Sequence, residues 1–321
     1  MPIPPPLAGD VLVVSPHLDD AVLSCETLVG RAAPLDVLTV CTARPPTPMV
    51  TEWDTLSGFR DSDEAMEVRL LEDEAALAGT PHRRQHLGLL DHQYLAGGAR
   101  TPEDAAALTA WVDAWLTAHA DGLVLLPTAT GLLPDPPPPR RPLVVRAARR
   151  LARAGLRAGR DGIRLVRAAL ARGEAPPDGE PSTAGGAGVN PDHRWVRDTL
   201  TEHLTQHLSE QQAGLGRGGA GRFGYYEDVP YGSARPGQDE VDGLVQRHGF
   251  AVERLEGPVD RVAKARRIAC YATQVAPLRF GPHGLDEPEG LPELERYWLA
   301  DARRAPRDGA PTWPPEVVLP P

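Results

Sequence analysis

A histidine and two adjacent carboxylates follow a short apolar run near the start of the chain. The run is Val11-Leu-Val-Val-Ser15, and after Pro16 the sequence continues His17-Leu-Asp19-Asp20. Imidazole and carboxylate groups are good ligands for zinc, and a catalytic zinc ion usually has three protein ligands and one open position. His17 and Asp20 could supply two of these ligands. The side chain of Asp19 diverges from that of its neighbour and could take a proton from bound water.

The two aspartates also fit a simpler role. Asp is favoured at the N-cap and in the first turn of a helix, where its carboxylate binds free backbone N–H groups. Residues 20–31 are predicted to form such a helix directly after the apolar run. The short motif alone therefore favours helix capping, and a metal site needs a further ligand from elsewhere in the chain.

A second group of suitable residue types lies far downstream, where a glycine-rich stretch leads into another predicted helix. The stretch reads Gly185-Gly-Ala-Gly-Val-Asn190-Pro-Asp-His193. This is a second loop-to-helix junction, and His193 is the candidate for the missing ligand.

Together the two motifs resemble those of the PIG-L (LmbE-like) family of zinc-dependent de-N-acetylases. The family signature is a strand-ending P-H-x-D-D and a later G-x-G-x-H-x-D-H. Here these motifs read as residues 16–20 and 186–193. Shorter family-like pieces recur over most of the chain, at residues 69–74, 87–91, 225–231 and 264–274.

The resemblance implies a metal site and a mechanism. His17, Asp20 and His193 would bind one zinc ion per chain, and Asp19 would be the general base. The family usually has a histidine where this chain has Asn190. An amide can donate a hydrogen bond to an oxyanion but cannot exchange a proton near neutral pH. Either Asp19 then handles both proton transfers, or another residue stands in, or the rate is low.

The resemblance further implies that Arg69, Asp91 and Tyr226 bind the substrate. Each residue also has an interpretation from its pattern alone. Arg69 could form a surface ion pair with Asp73 one turn later, and Asp91 could be an ordinary turn residue. The aromatic segment that contains Tyr226 could simply pack in the core.

Composition limits the class of protein. The chain has 321 residues, a formal net charge of −10 and three cysteines, Cys25, Cys41 and Cys270, without the spacing of a metal site. The acidic charge argues against non-specific binding to nucleic acid, and no apolar run is long enough to cross a membrane. The first residues lack the pattern of a signal peptide, which predicts a cytoplasmic protein.

The alternation of apolar runs and helical patterns predicts an α/β fold. We expect a Rossmann-like, mostly parallel sheet flanked by helices, in one domain that spans residues 1–321. The predicted strands lie at residues 11–15, 35–41, 85–90, 122–127 and 250–255. The predicted helices lie at residues 20–31, 61–79, 101–119, 191–208, 259–274 and 293–298.

An arginine-rich insertion at residues 134–184 interrupts this pattern, and a proline-rich tail follows at 306–321. Residues 140–172 contain eleven arginines and one acidic residue, Asp161. This composition favours a solvated helix packed against the acidic remainder of the chain. A lid that recognises an anionic part of the substrate and a docking surface for an acidic partner are the alternatives.

These features and the resemblance predict a zinc-dependent hydrolase. It would remove the acetyl group from an N-acetylated amino sugar of the N-acetylglucosaminyl type, or from a conjugate with an anionic or large aglycone. Family relatives suggest a place in antibiotic or other secondary-metabolite biosynthesis. One alternative is an amidase that acts on an amino-sugar thiol conjugate or on a longer N-acyl group. Another is a catalytically weak metal-binding protein that uses the insertion to bind a partner.

Overall fold

A computed structural model of the chain describes residues 4–95, 97–130, 189–212, 222–231, 237–275, 277–278 and 283–301. The predicted insertion and tail lie outside these residues. Seven strands in the described part of the chain form one sheet. They are β1 (Val11–Ser15), β2 (Asp36–Cys41), β3 (Arg83–Leu89), β4 (Leu123–Pro127), β5 (Arg222–Tyr226), β6 (Ala251–Pro258) and β7 (Leu294–Asp301).

The sheet is mostly parallel, and its strands lie in the order β3-β2-β1-β4-β5-β7-β6. Strands β3, β2, β1, β4 and β5 are parallel to one another, whereas β7 runs antiparallel to both β5 and β6. The strand order reverses between β1 and β4. Open α/β sheets bind their ligands at the carboxyl ends of the strands beside such a reversal. The α/β fold predicted from the sequence is confirmed.

The central strands β1, β2 and β4 are buried on both faces of the sheet. Val11 and Val13 of β1 belong to one hydrophobic cluster, whereas Leu12 and Val14 belong to the cluster on the other face. Successive side chains of a strand point to opposite faces, so a strand that is covered on both sides needs apolar residues throughout. This packing explains the unbroken apolar run that leads to His17.

The sheet is flanked by helices. They are α1 (Asp20–Ser24), α2 (Glu26–Val29), α3 (Glu52–Leu56), α4 (Ser62–Ala76), α5 (Pro102–Ala118), α6 (Pro191–Gln212), α7 (Gly237–His248), α8 (Arg261–Ile268) and α9 (Ala272–Val275). The predicted start of α5 is confirmed, because Thr101 and Asp104 form a reciprocal capping box around Pro102. None of the described helices has both the length and the apolar composition that crossing a membrane requires.

Three secondary-structure predictions are wrong. A helix is predicted at residues 293–298, but residues 294–298 belong to β7, which is hydrogen-bonded to β5 on one edge and to β6 on the other. The predicted helix at 259–274 is divided into α8 and α9, and the one at 20–31 is divided into α1 and α2 at Cys25. Each difference comes from contacts with distant parts of the chain, which local sequence periodicity does not encode.

Candidate metal centre and its surroundings

Three predicted ligands meet at the carboxyl edge of the sheet. His17 and Asp20 follow β1, and His193 lies in the first turn of α6. The Nδ1 atom of His17 is 3.3 Å from Oδ2 of Asp20, and Nε2 of His193 is 3.2 Å from the same oxygen. The two imidazole nitrogens are 3.3 Å apart. The three atoms therefore form a nearly equilateral triangle.

This triangle fits a zinc ion. With zinc–ligand distances of about 2.0–2.1 Å, tetrahedral geometry places neighbouring ligand atoms about 3.3–3.4 Å apart. The observed triangle has the size of one face of that tetrahedron. His17, Asp20 and His193 are 8%, 4% and 1% exposed, so the donors are withdrawn from bulk water. Donor type, spacing and burial all fit the metal.

The electrostatic field of the centre favours a cation. Burial disfavours the charged form of His193, but Asp20 and Asp228 outweigh this effect and raise its pKa to about 10. Burial would also raise the pKa of Asp20, yet the two histidines hold that pKa well below its ordinary value. A site that retains extra protons for this reason also attracts a divalent cation, and metal binding would release those protons.

Each histidine of the triangle is held by a second carboxylate. Nδ1 of His193 lies 2.9 Å from Oδ1 of Asp228, and Nε2 of His17 lies 3.2 Å from Oδ2 of Asp192. A carboxylate on the outer nitrogen fixes the tautomer and orientation of a metal-binding imidazole, and it raises the basicity of the inner nitrogen. The sequence interpretation did not assign roles to these aspartates, although both lie within family-like segments.

The two carboxylates are themselves anchored. Asp228 follows β5, and its Oδ2 atom accepts hydrogen bonds from Thr128 Oγ1 at 2.9 Å and from Thr130 N at 3.2 Å, both just after β4. Asp192 lies in α6, and its two oxygens accept from Arg100 Nη2 at 2.5 Å and from His92 N at 2.8 Å. The adjoining strand ends and loops therefore position the histidines.

Asp19 and Asp20 do not cap α1 with their side chains. Asp19 occupies the N-cap position but makes no side-chain capping hydrogen bond. Oδ2 of Asp20 accepts from the backbone N–H of His17 at 2.7 Å and faces both imidazoles of the triangle. Asp19 is 5% exposed, and burial, followed by the neighbouring Asp20 charge, raises its pKa. The capping interpretation of the motif is therefore wrong.

Arg69 is buried beside the centre. Its Nη2 atom is 3.9 Å from Oδ1 of Asp19, and its Nη1 atom is 3.6 Å from Oδ2 of Asp91. Nε of Arg69 has no hydrogen-bond partner among the described residues. The alternative of a surface ion pair between Arg69 and Asp73 is wrong, because both residues are buried. The two oxygens of Asp73 instead accept from Arg84 Nη1 at 3.3 Å and from the Tyr271 hydroxyl at 2.9 Å.

Asp91 is a turn residue whose carboxylate also lies near the centre. Its Oδ1 atom accepts from Gln93 N at 3.1 Å and caps the short 3-10 helix His92–Tyr94, which is a local turn role. Its Oδ2 atom points toward the centre and lies 3.7 Å from Nε2 of His17. The turn therefore places one carboxylate oxygen near the predicted metal ligand.

Tyr226 lies in the core rather than on a binding surface. Its side chain is fully buried, and its hydroxyl donates to the backbone carbonyl of Val14 at 3.0 Å. The aromatic side chain of this segment that lies against the centre is Tyr231, whose ring meets that of His193 edge-on at 5.6 Å between centroids. The geometry contradicts the expectation that Tyr226 contacts substrate.

Asn190 connects the start of α6 to Tyr231. Its Oδ1 atom accepts from the backbone N–H of Asp192 at 3.0 Å. Its side chain also hydrogen-bonds with Tyr231. Burial and the charges of Asp20 and Asp19 raise the pKa of Tyr231 well above its ordinary value, so the phenol keeps its proton.

The fold is similar to that of solved deacetylase structures. One is the antimicrobial reagent A40926 pseudoaglycone deacetylase, with a TM-score of 0.54 and 19% identity over 92% of this chain and 99% of that chain. Another is the zinc inhibited form of teicoplanin deacetylase, with a TM-score of 0.51 and 17% identity over 94% of this chain and 100% of that chain. At such identities the similarity establishes the fold. No family model and no curated protein matches the chain.

Proposed function

We propose that this protein is a zinc-dependent N-deacetylase of the PIG-L (LmbE-like) type. The observation that carries the proposal is the triangle of His17, Asp20 and His193 with the buried carboxylate of Asp19 beside it. Two solved structures with a similar fold are described as deacetylases. The substrate would be an N-acetylated amino sugar of the N-acetylglucosaminyl type or its conjugate.

His17, Asp20 and His193 would hold one zinc ion per chain. When bound there, zinc would supply Lewis-acid polarisation of the acyl oxygen and a lowered pKa for a water molecule. Asp228 and Asp192 hold the outer nitrogens of the two histidines, so both inner nitrogens stay directed at the site. The protein thus keeps the donors in place before any substrate binds.

Asp19 would accept a proton from the attacking water and return it to the departing amine. It directly precedes the ligand Asp20 in sequence, and its side chain makes no capping bond that would hold it elsewhere. Burial and the Asp20 charge raise its pKa above the ordinary value. The higher pKa makes the carboxylate a stronger base and brings the acid form closer to neutral pH.

Tyr231 would bind the developing oxyanion as a hydrogen-bond donor, and Asn190 would orient it. Asn190 hydrogen-bonds with Tyr231, and an amide N–H donated to the phenol oxygen would leave the phenol proton free to point toward substrate. A neutral donor fixed in advance stabilises negative charge without first having to reorient. In this arrangement Asn190 acts mainly by orienting Tyr231, and Asp19 alone transfers protons.

Arg69 and Asp91 would bind polar groups of the sugar. The Arg69 guanidinium is 5% exposed and lies at ion-pair distance from Asp19 and Asp91, without close hydrogen bonds to them. Its donors therefore remain available for a hydroxyl or an anionic group of the substrate. One structure of similar fold is described as a deacetylase of the antimicrobial reagent A40926 pseudoaglycone, and another as a deacetylase of the teicoplanin biosynthetic pathway. These descriptions support a substrate from antibiotic or other secondary-metabolite biosynthesis.

Release of acetate by the purified, zinc-loaded protein tests the proposal. The substrates would be N-acetylglucosamine conjugates with small and large aglycones, beside the same sugars with longer N-acyl chains. We expect acetate release from at least one conjugate, and the acyl series separates a deacetylase from an amidase for longer chains. A zinc-loaded protein that releases no acid from any of these amides would contradict the proposal.

The variant Asp19→Asn tests the assigned base. We expect it to retain zinc and to lose turnover by a factor of about 10² to 10⁴. The control is Asp121→Asn, which makes the same change at an exposed position and should leave turnover unchanged. Normal turnover in Asp19→Asn would exclude the assigned role, and a wild type without turnover would favour the metal-binding interaction protein.

A further inference from the structure

A second group of metal-binding atoms lies on the other side of the His17 ring. A ring nitrogen of His17, Sγ of Cys41 and a carboxylate oxygen of Asp192 all lie within 4.8 Å of one another, and Nε2 of His17 is 3.2 Å from Oδ2 of Asp192. All three residues are buried, and Cys41 ends β2, next to β1 in the sheet. The imidazole of His17 is therefore shared between two clusters, with Nδ1 in the first and Nε2 in the second.

The second cluster already contains a cation, the guanidinium of Arg100. Its Nη2 atom donates to Sγ of Cys41 at 3.2 Å and to Oδ1 of Asp192 at 2.5 Å. The Arg100 side chain is only 8% exposed, and its guanidinium lies 4.8 Å from the centre of the Trp195 ring. One nitrogen of Arg100 thus binds two of the three potential metal ligands.

The rest of the guanidinium is poorly satisfied. Nε and Nη1 of Arg100 are buried and have no hydrogen-bond partner among the described residues. A buried arginine with unused donors is unfavourable unless its charge is needed locally. Here the positive charge is needed to balance carboxylates, because Asp20, Asp91 and Asp192 all lie close to the imidazole of His17.

We propose that Arg100 is a resident cation that fills the second cluster and restricts the protein to one metal ion. Its fixed charge neutralises Asp192 and repels a divalent cation from Cys41 and from Nε2 of His17. Asp192 then remains free to hold the outer nitrogen of His17, so that Nδ1 serves the first cluster. Without Arg100, the second cluster would offer imidazole, thiol and carboxylate, a donor set suited to zinc and to softer metals.

Cadmium titration tests this role without measuring turnover, because cadmium bound to a cysteine sulfur gives an ultraviolet charge-transfer band. The wild type is expected to bind one cadmium ion per chain without that band. The variant Arg100→Met keeps the length of the side chain and removes its charge. We expect it to bind a second cadmium ion per chain, with the thiolate band rising at the second equivalent.

Three further variants make the test specific. The double variant Arg100→Met/Cys41→Ser should not show the thiolate band. Arg100→Lys keeps the positive charge and should, like the wild type, bind one cadmium ion per chain without the band. Arg194→Met removes an exposed arginine of α6 and should behave as the wild type. The proposal is overturned if the wild type itself shows the band, or if folded Arg100→Met binds one ion without it. Circular dichroism shows whether each variant is folded. If Arg100→Met does not fold, Arg100→Gln takes its place, and the same results support or overturn the proposal.

Discussion

Oδ1 of Asp228 lies 2.9 Å from Nδ1 of His193, and this contact ties the loop after β5 to the first turn of α6. Both side chains are 1% exposed. Because Asp228 also accepts from the Thr128 hydroxyl at 2.9 Å, the direction of the imidazole is set by two neighbouring strand ends. This relationship leads to the first prediction.

Asp228→Asn should weaken zinc binding by a factor of about 10 to 100. An amide of the same shape can still contact Nδ1, but it lacks the charge that raises the basicity of Nε2 in His193. Competition with a chelator measures the affinity. Asp242→Asn, at a partly exposed position on α7, is the matched control. Equal zinc affinities in the two variants would contradict an orienting role for Asp228.

Tyr231→Phe should lower kcat by about 100-fold or more, with little change in zinc content, because one donor to the oxyanion is removed. Asn190→Ala should also lower kcat. If Asn190 acts by orienting Tyr231, the double variant should be no slower than Tyr231→Phe. If the fold-decreases in kcat of the two single variants instead multiply in the double variant, each donor contacts the substrate independently.

Glu72 gives the folding stability a pH dependence. Burial raises its pKa from 4.5 to about 8, although Thr273 donates to it through both N–H and hydroxyl. Because the pKa of Glu72 is higher in the folded than in the unfolded protein, its contribution to the free energy of unfolding is fully present below the unfolded-state pKa. That stabilisation decreases as pH rises through the interval between the two values, by at most about 1.4 kcal/mol per pH unit.

Glu72→Gln should remove this dependence. Compared with the wild type, the variant should gain stability steadily between about pH 5 and pH 8, because glutamine carries no proton to lose. Urea unfolding of both proteins at each pH measures the difference. Glu103→Gln, at an exposed position on α5, serves as the control. A stability difference between wild type and Glu72→Gln that is constant with pH would rule out titration of Glu72.

Lys264 is the only lysine of the chain and is fully buried. Its Nζ atom lies 2.7 Å from Oε1 of Glu295, which also accepts from the backbone N–H of Glu26 at the start of α2. Lys264→Met should lower the free energy of unfolding by about 3–5 kcal/mol, since it leaves a buried carboxylate without its counter-charge.

Urea unfolding of Lys264→Met tests that prediction. Arg261→Met removes a cation from the same helix at a position with a 39% exposed side chain, and it should change stability by less than about 1 kcal/mol. Adding Glu295→Gln to Lys264→Met should recover part of the lost free energy of unfolding, because the buried, unpaired carboxylate charge is then absent. Equal unfolding midpoints for Lys264→Met and Arg261→Met would show that the buried pair does not stabilise the fold.

Much of the architecture is encoded locally. The unbroken apolar run of β1 requires burial on both faces, and the reciprocal cap between Thr101 and Asp104 marks the start of α5. Residues 293–298 have no comparable local signal. Tyr297 and Trp298 lie on opposite faces of the sheet because β5 and β6 supply partners on both edges of β7.

The sequence by itself determined which residue types could bind a metal and which strand end would carry them. His17 and Asp20 are three positions apart, and the turn after a buried strand presents both at the edge of the sheet. Only the tertiary structure decided their partners. Asp192 is 175 positions from His17, and a carboxylate that holds an imidazole cannot be distinguished in sequence from one that caps a helix. Arg100 acquires its place in the same way, because its charge matters only where folding brings Cys41 and Asp192 together.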